Sequence, residues 1–115
     1  MHIVPIEDAP PYDAPGHRGM AMRRLQGREA GPADSVWMGL STIAPGGGTS
    51  PSASAVEKFY VVIEGRLQVQ ARLDGATTVA ELLPLHSCRI APGESRSLHN
   101  PGPGPCTVLL VMPNT

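Results

Sequence analysis

Residues 46–65, GGGTSPSASAVEKFYVVIEG, carry the local pattern that is most informative about the fold of this chain. Three glycines and a proline surround a polar segment, and an aromatic and β-branched run then ends at Glu64 and Gly65. Aromatic and β-branched residues favour strands, whereas glycine favours the turns that separate them. The stretch therefore predicts a turn, a polar loop and the strand KFYVVIE.

Similar β-type runs lie on both sides of this stretch and are separated by Gly- and Pro-rich turns such as APGE and NPGPGP. In RLQVQARL, apolar Leu67, Val69 and Ala71 alternate with polar residues, which is the pattern of a two-sided strand. Asp74-Gly75 then predicts a hairpin turn. The other predicted strands are MAMRRL (20–25), SVWMGLSTI (35–43), TTVAELL (77–83), HSCRIA (86–91), SRSLH (95–99) and CTVLLVM (106–112). These eight short strands, without a helical pattern, predict an all-β antiparallel jelly-roll or barrel.

Length and composition restrict the organisation and the partners. The 115 residues form one domain, in which residues 1–18 are predicted to be an extended N-terminal arm and residues 19–115 the barrel. Ten acidic and nine basic residues nearly balance, so we expect neither a nucleic acid nor a membrane as partner. The acidic, Pro-interrupted N-terminus is unlike a secretory signal, and Cys88 and Cys106 are read as reduced thiols, so a cytoplasmic location is expected.

The glycine spacings and strand order resemble those of the cupin superfamily. Its first motif reads G-x5-H-x-H-x3-4-E-x6-G, and residues 46–65 match its two glycines. Its second motif reads G-x5-P-x-G-x2-H-x3-N, and Gly93 and Asn100 match it. The resemblance covers roughly residues 35–112 and implies a small jelly-roll barrel with a lumen.

The same resemblance implies that the usual cupin metal site is lost. Ser52, Ser54, Lys58 and Arg96 stand where the family has two His, a Glu and a further His. Hydroxyls are poor neutral ligands, and ammonium and guanidinium groups offer no lone pair. We therefore expect no metal and no other cofactor. His86 and His99 remain alternative ligands that the sequence leaves open.

Lys58, Tyr60 and Val62 alternate along KFYVVIE and should share one face, which the resemblance places in the lumen. Two buried cations are costly unless an anion joins them, so a small anionic or carbonyl-bearing metabolite is the predicted ligand. The predicted catalytic residues are Lys58 (acid or base) and Tyr60 (auxiliary proton donor). The predicted ligand-binding residues are Arg96 (anion clamp), Ser52, Ser54 and Trp37. If both cations are unpaired, replacing either should raise stability.

Three functional classes stay open on the sequence: a metal-independent isomerase or lyase, a non-catalytic binding or sensing module, and a degenerate barrel with only a structural role. Metal-dependent dioxygenase chemistry is disfavoured by the missing ligands. A structural alternative for the cations also stays open, in which Lys58 extends to the barrel mouth and Arg96 pairs with Glu57 or Glu94. The Pro-rich arm and exposed sheet edges predict a homodimer.

Overall fold

Nearly all of the regular structure is β-strand. A computed structural model describes residues 1–114. Two short 3-10 helices (Ile6–Asp8 and Arg28–Ala30) accompany the strands. The strands are β1 (Pro11–Tyr12), β2 (His17–Gln26), β3 (Val36–Thr49), β4 (Ser52–Ala53), β5 (Lys58–Glu64), β6 (Leu67–Leu73), β7 (Ala76–Leu82), β8 (Ser87–Ile90), β9 (Ser95–His99) and β10 (Cys106–Pro113).

The strands form one antiparallel sheet that curls into a nearly closed barrel. Its order is β7-β6-β9-β3-β10-β5-β8, with β2 pairing β3 and the short β1 and β4 pairing β2 and β9. The long β3 is the central element because it pairs with β2, β10 and β9. The predicted all-β jelly-roll architecture is confirmed.

The local patterns in the sequence explain the strands. Along β5, Lys58, Tyr60 and Val62 are buried while Phe59 and Ile63 are exposed, as the period of two predicts. The predicted hairpin joins β6 to β7, and its two turn residues have φ of 51° and 80°. Positive φ at both positions matches the preference of Asp-Gly for such turns.

The N-terminal segment differs from a simple arm. Tyr12 pairs with Met22 within the same chain, and His2 Nε2 lies 2.7 Å from the Ala30 carbonyl oxygen. The strand predicted at 20–25 begins earlier, at His17, so the predicted boundary at residue 18 falls inside β2. A register irregularity between Arg18 and Met20 interrupts the alternation there, which explains why the sequence pattern begins late.

The hydrophobic core occupies the barrel interior next to the site described below. It is formed by Ile43, Tyr60, Val62, Leu67, Val69, Leu82, Ile90, Leu98, Cys106 and Val108. Asn100, matched to the second motif, is 1% exposed, and its amide nitrogen donates to the carbonyl oxygens of Ile43 and Gly104. This residue therefore fixes the chain leading into β10.

Both cysteines are free thiols, and Cys106 is buried while Cys88 is half-buried. Within residues 1–114, none of the helices has the length and apolar character needed to cross a membrane.

Candidate functional site

A cavity of about 210 Å³ lies between the core and the N-terminal segment. Tyr60, Leu98 and Val108 belong to both the core and the cavity wall, so the core forms the cavity floor. Methionines and aliphatic residues of β2 and β10 form much of the remaining wall. Because ligand pockets for drug-sized molecules usually exceed about 300 Å³, this cavity suits a smaller molecule.

Arg96 of β9 is held in the cavity wall by three hydrogen bonds. Its Nε donates to Tyr60 Oη at 2.9 Å, and its Nη1 donates to Thr49 Oγ1 at 3.2 Å and to the Ser50 carbonyl oxygen at 3.3 Å. The side chain is 7% exposed. All three acceptors are neutral, and no carboxylate within residues 1–114 forms a salt bridge with it. The guanidinium charge is thus positioned without being neutralised.

Lys58, at the start of β5, also lines the cavity and is only 6% exposed. Within the described part of the chain, its Nζ has neither a hydrogen bond nor a salt bridge. Every side-chain polar atom sealed from solvent there has a partner, so Nζ must reach the cavity surface. Burial lowers the pKa of Lys58, and the nearby charge of Arg96 lowers it further. This ammonium group has three donors and nothing in the described chain to receive them.

Tyr60 shares the buried face of β5 with Lys58 and accepts a hydrogen bond from Arg96. Burial raises the pKa of its hydroxyl, while the charge of Arg96 and the hydrogen bond from it act in the opposite direction. Because Tyr60 Oη accepts from Arg96, its own proton is free to point elsewhere. The wall therefore presents hydrogen-bond donors from Lys58, Tyr60 and Arg96 to a ligand.

The cavity is also lined by aromatic residues that the sequence pattern only partly predicted. Trp37 lines the cavity as expected, and its ring lies edge-on to Tyr12 with centroids 5.9 Å apart. The Arg24 guanidinium lies 3.5 Å from the Tyr12 ring centroid and 4.3 Å from that of Trp37. Sequence reasoning missed Tyr12 and Arg24, although the period of two that buries Met22 also places Arg24 on the inner face of β2.

The predicted placement of two serines in the lumen is corrected by the structure. Ser52 is exposed, Ser54 is half-buried, and neither belongs to the cavity wall. The reason is local, because β4 is only two residues long and Ser54 Oγ donates to the Val56 carbonyl oxygen at 3.1 Å. The polar loop consequently follows the edge of β9 outside the cavity.

The structural alternative for the two cations is not what the chain adopts. Glu57 pairs with Arg89, and Glu94 Oε1 accepts from the Ala91 amide, so neither carboxylate neutralises Arg96. Lys58 is buried in the cavity wall, where only 6% of its surface is exposed.

The residues do not fit the metal that cupin motifs usually hold. Lys58 and Arg96 are cations, and the two serines lie outside the cavity wall. His86 is exposed and accepts from the Leu83 amide, and His99 is half-buried outside the cavity wall. Within residues 1–114, no group of three or more His, Cys, Asp or Glu is placed to bind a metal ion. The side chains of the cavity therefore do not support metal-based chemistry.

Comparison with known proteins places this geometry in a family. No family model matches the chain. The chain is 45% identical over 100 residues to the beta-D-galactosidase Rv1717 of Mycobacterium tuberculosis, covering 87% of this chain and 83% of that protein. The RmlC-like cupin of Shewanella frigidimarina superimposes with a TM-score of 0.72 at 16% identity, covering 100% and 92% of the two chains. This chain belongs to the cupin superfamily.

One further cupin-fold structure resembles it over the whole chain. The polyketide cyclase RemF of Streptomyces resistomycificus has a TM-score of 0.84 and 25% identity, covering all of this cupin and 80% of that protein. Cupin barrels with enzymatic names thus share this architecture. The chemistry of this cupin must be argued from the donors in its own cavity.

Proposed function

We propose that this cupin binds a small anionic or carbonyl-bearing metabolite in its cavity without a metal, and acts on it by proton transfer. The observation that carries the proposal is Lys58, a buried ammonium with no partner in residues 1–114, beside the un-neutralised guanidinium of Arg96. A buried charge without a partner is costly, and an anionic ligand would remove that cost.

The hydrogen-bonding inventory supports the proposal and assigns the roles. The Arg96 guanidinium uses Nε and Nη1 within the protein, which leaves Nη2 for a carboxylate. Lys58 Nζ and the Tyr60 hydroxyl remain as donors to a carbonyl or enolate oxygen. Trp37 and the methionine walls contact the apolar part of the ligand. Ser52 and Ser54 lie outside the cavity wall and have no role in the proposed binding of the ligand.

The test is a ligand-dependent melting shift, measured with a panel of small carboxylates and 2-oxo acids. A ligand that binds only the folded state at one hundred times its Kd adds about 2.7 kcal/mol of stability. Lys58→Met and Arg96→Met should each lose the shift, because each removes a charged donor to the carboxylate. Arg72→Met is the matched control, because this cation is exposed on β6 and lies outside the cavity wall.

The outcomes distinguish the functional classes. A shift with product formation supports an enzyme, and a shift without turnover supports a binding or sensing module. If no carboxylate or 2-oxo acid changes the melting temperature of the wild type, the binding proposal is wrong and a structural role is left.

A second candidate, hydrolysis of β-D-galactosides, is favoured by the name of the 45% identical mycobacterial relative. Glycosidases generally use two carboxylates on either side of the scissile bond. Within the described chain, Asp13 is the carboxylate found in the cavity wall, and Tyr60 would have to replace the second one. Release of nitrophenol from nitrophenyl β-D-galactoside by the wild type, and its loss in Asp13→Asn, would establish this activity in place of the first proposal.

A further inference from the structure

His17, the first residue of β2, lines the same cavity and is half-buried. Its Nδ1 lies 2.8 Å from the Pro15 carbonyl oxygen. A carbonyl oxygen only accepts hydrogen bonds, so Nδ1 must carry the proton. In the neutral imidazole, Nε2 then holds the lone pair, and the ring edge that carries it is the one turned away from Pro15.

The strand pairing places this imidazole near the anion clamp. His17 is directly opposite Thr49 across the β2–β3 ladder, and Thr49 Oγ1 accepts from Arg96 Nη1 at 3.2 Å. Directly opposite residues of antiparallel strands have Cβ atoms about 4.5–5.5 Å apart. One intervening side chain therefore separates His17 from the guanidinium that is proposed to hold the ligand.

The cavity wall otherwise offers few proton acceptors. Lys58 and Arg96 are donors, and the Tyr60 hydroxyl already accepts from Arg96. Asp13 is an exposed carboxylate at the rim. Among the groups of the described wall, His17 has an imidazole nitrogen with a free lone pair, which can both remove a proton and return it.

We propose that His17 is the general base of an enolisation and that the substrate is a 2-oxo acid with hydrogen on the carbon next to its carbonyl. This rests on the proposed function, since Arg96 must hold the carboxylate. His17 Nε2 takes the proton from that carbon, and the C–H electron pair forms a C=C bond. The carbonyl π pair moves onto oxygen, which receives a proton or hydrogen bonds from Lys58 and Tyr60. The imidazolium exchanges its proton with solvent and returns a proton to carbon, while the enol oxygen gives back any proton it received; this yields the exchanged starting compound, or an epimer where the carbon is stereogenic, without an oxidant.

The experiment follows solvent deuterium entering C3 of 2-oxobutyrate by proton NMR. His17→Asn is the test variant, because the asparagine amide can still donate to the Pro15 carbonyl oxygen but has no basic nitrogen. His17→Gln is a second variant in case the first does not fold. His86→Asn is the matched control, because His86 is exposed and the asparagine oxygen can replace Nδ1 as acceptor from Leu83.

Wild type and His86→Asn should exchange C3 faster than buffer, and a folded His17 variant should lose about 100-fold or more of that rate. The His17 variants should keep the melting shift caused by 3,3-dimethyl-2-oxobutyrate, which carries the same carboxylate and carbonyl but has no hydrogen on C3. Binding of 2-oxobutyrate without exchange in wild type, or equal exchange in a His17 variant, overturns the role of His17 and leaves the binding proposal standing. Failure of both 2-oxo acids to shift wild type refutes the substrate class itself.

Discussion

Lys58→Met and Arg96→Met should change the stability of the ligand-free cupin in opposite directions. Lys58 is buried without a partner in residues 1–114, so its replacement by an apolar side chain of similar length removes the free-energy cost of burying an unpaired charge. Arg96 is equally buried but makes three hydrogen bonds, to Tyr60, Thr49 and Ser50. The sequence alone predicted stabilisation in both cases, and the contacts of Arg96 reverse the expectation for that residue.

The size of each change follows from these contacts. Replacing buried charged groups by apolar side chains of similar volume often adds about 1–4 kcal/mol, and because Nζ reaches the cavity surface we expect Lys58→Met to lie at the lower end, about 1–2 kcal/mol. Hydrogen bonds to charged groups contribute about 1.5–3 kcal/mol each, and relief of the buried charge offsets part of their loss. Arg96→Met should therefore cost about 2–4 kcal/mol. An unfolding entropy of about 2.1 cal/mol/K per residue gives about 4 °C per kcal/mol for 115 residues.

The pH dependence of stability tests whether the buried charge of Lys58 is the cause of the gain in Lys58→Met. Its pKa is lower in the folded state, so between that value and the ordinary 10.5 the unfolded chain binds more protons and the stability of wild type rises with pH. The gain in stability of Lys58→Met over wild type should be fully present at neutral pH and should disappear as the pH rises past 10.5. Thermal melts of the three proteins, from neutral pH upward, measure this. A Lys58→Met protein that is less stable than wild type at pH 7, or an advantage that persists unchanged above 10.5, would refute the reasoning.

Three other predictions concern the arm, the metal and the assembly. Gly39→Ala should lower the free energy of unfolding by about 1–3 kcal/mol, because the new Cβ would lie 2.8 Å from Tyr12 Oη and 2.9 Å from Trp37 Cζ3. It should also make the N-terminal segment sensitive to limited proteolysis, and unchanged protection would contradict this prediction. Protein grown with Mn, Fe, Ni or Zn should carry far less than one metal per chain by elemental analysis, and near-stoichiometric metal would reject the metal-independent site. Homodimerisation remains a prediction for light scattering at micromolar concentration. Phe59 is 41% exposed and pairs with Val111 across the β5–β10 ladder, so Phe59→Ser should weaken a dimer that uses this face, whereas an unchanged dimer must use another contact.

The part of the site on β5 and β9 was accessible from the sequence. The alternation in KFYVVIE places Lys58 and Tyr60 on one face, and the second-motif spacing adds Arg96. All three lie in the cavity wall. The first-motif spacing was misleading for Ser52 and Ser54, because a motif fixes the order of residues but not the direction of side chains in a loop. In that loop, local hydrogen bonds and an edge strand of two residues decide the side-chain directions.

Local sequence patterns predict most of the strands, the Asp-Gly hairpin and the shared face of Lys58 and Tyr60, because a period of two and the preference of Asp-Gly for positive φ act over a few neighbouring residues. What surrounds the two cations depends on tertiary contacts. Tyr12 enters the barrel over Gly39, and His17 reaches the cavity opposite Thr49, across gaps of 27 and 32 positions in the chain. Such contacts depend on how the N-terminal segment packs across β2 and β3. A pattern that repeats every second residue contains no information about that packing.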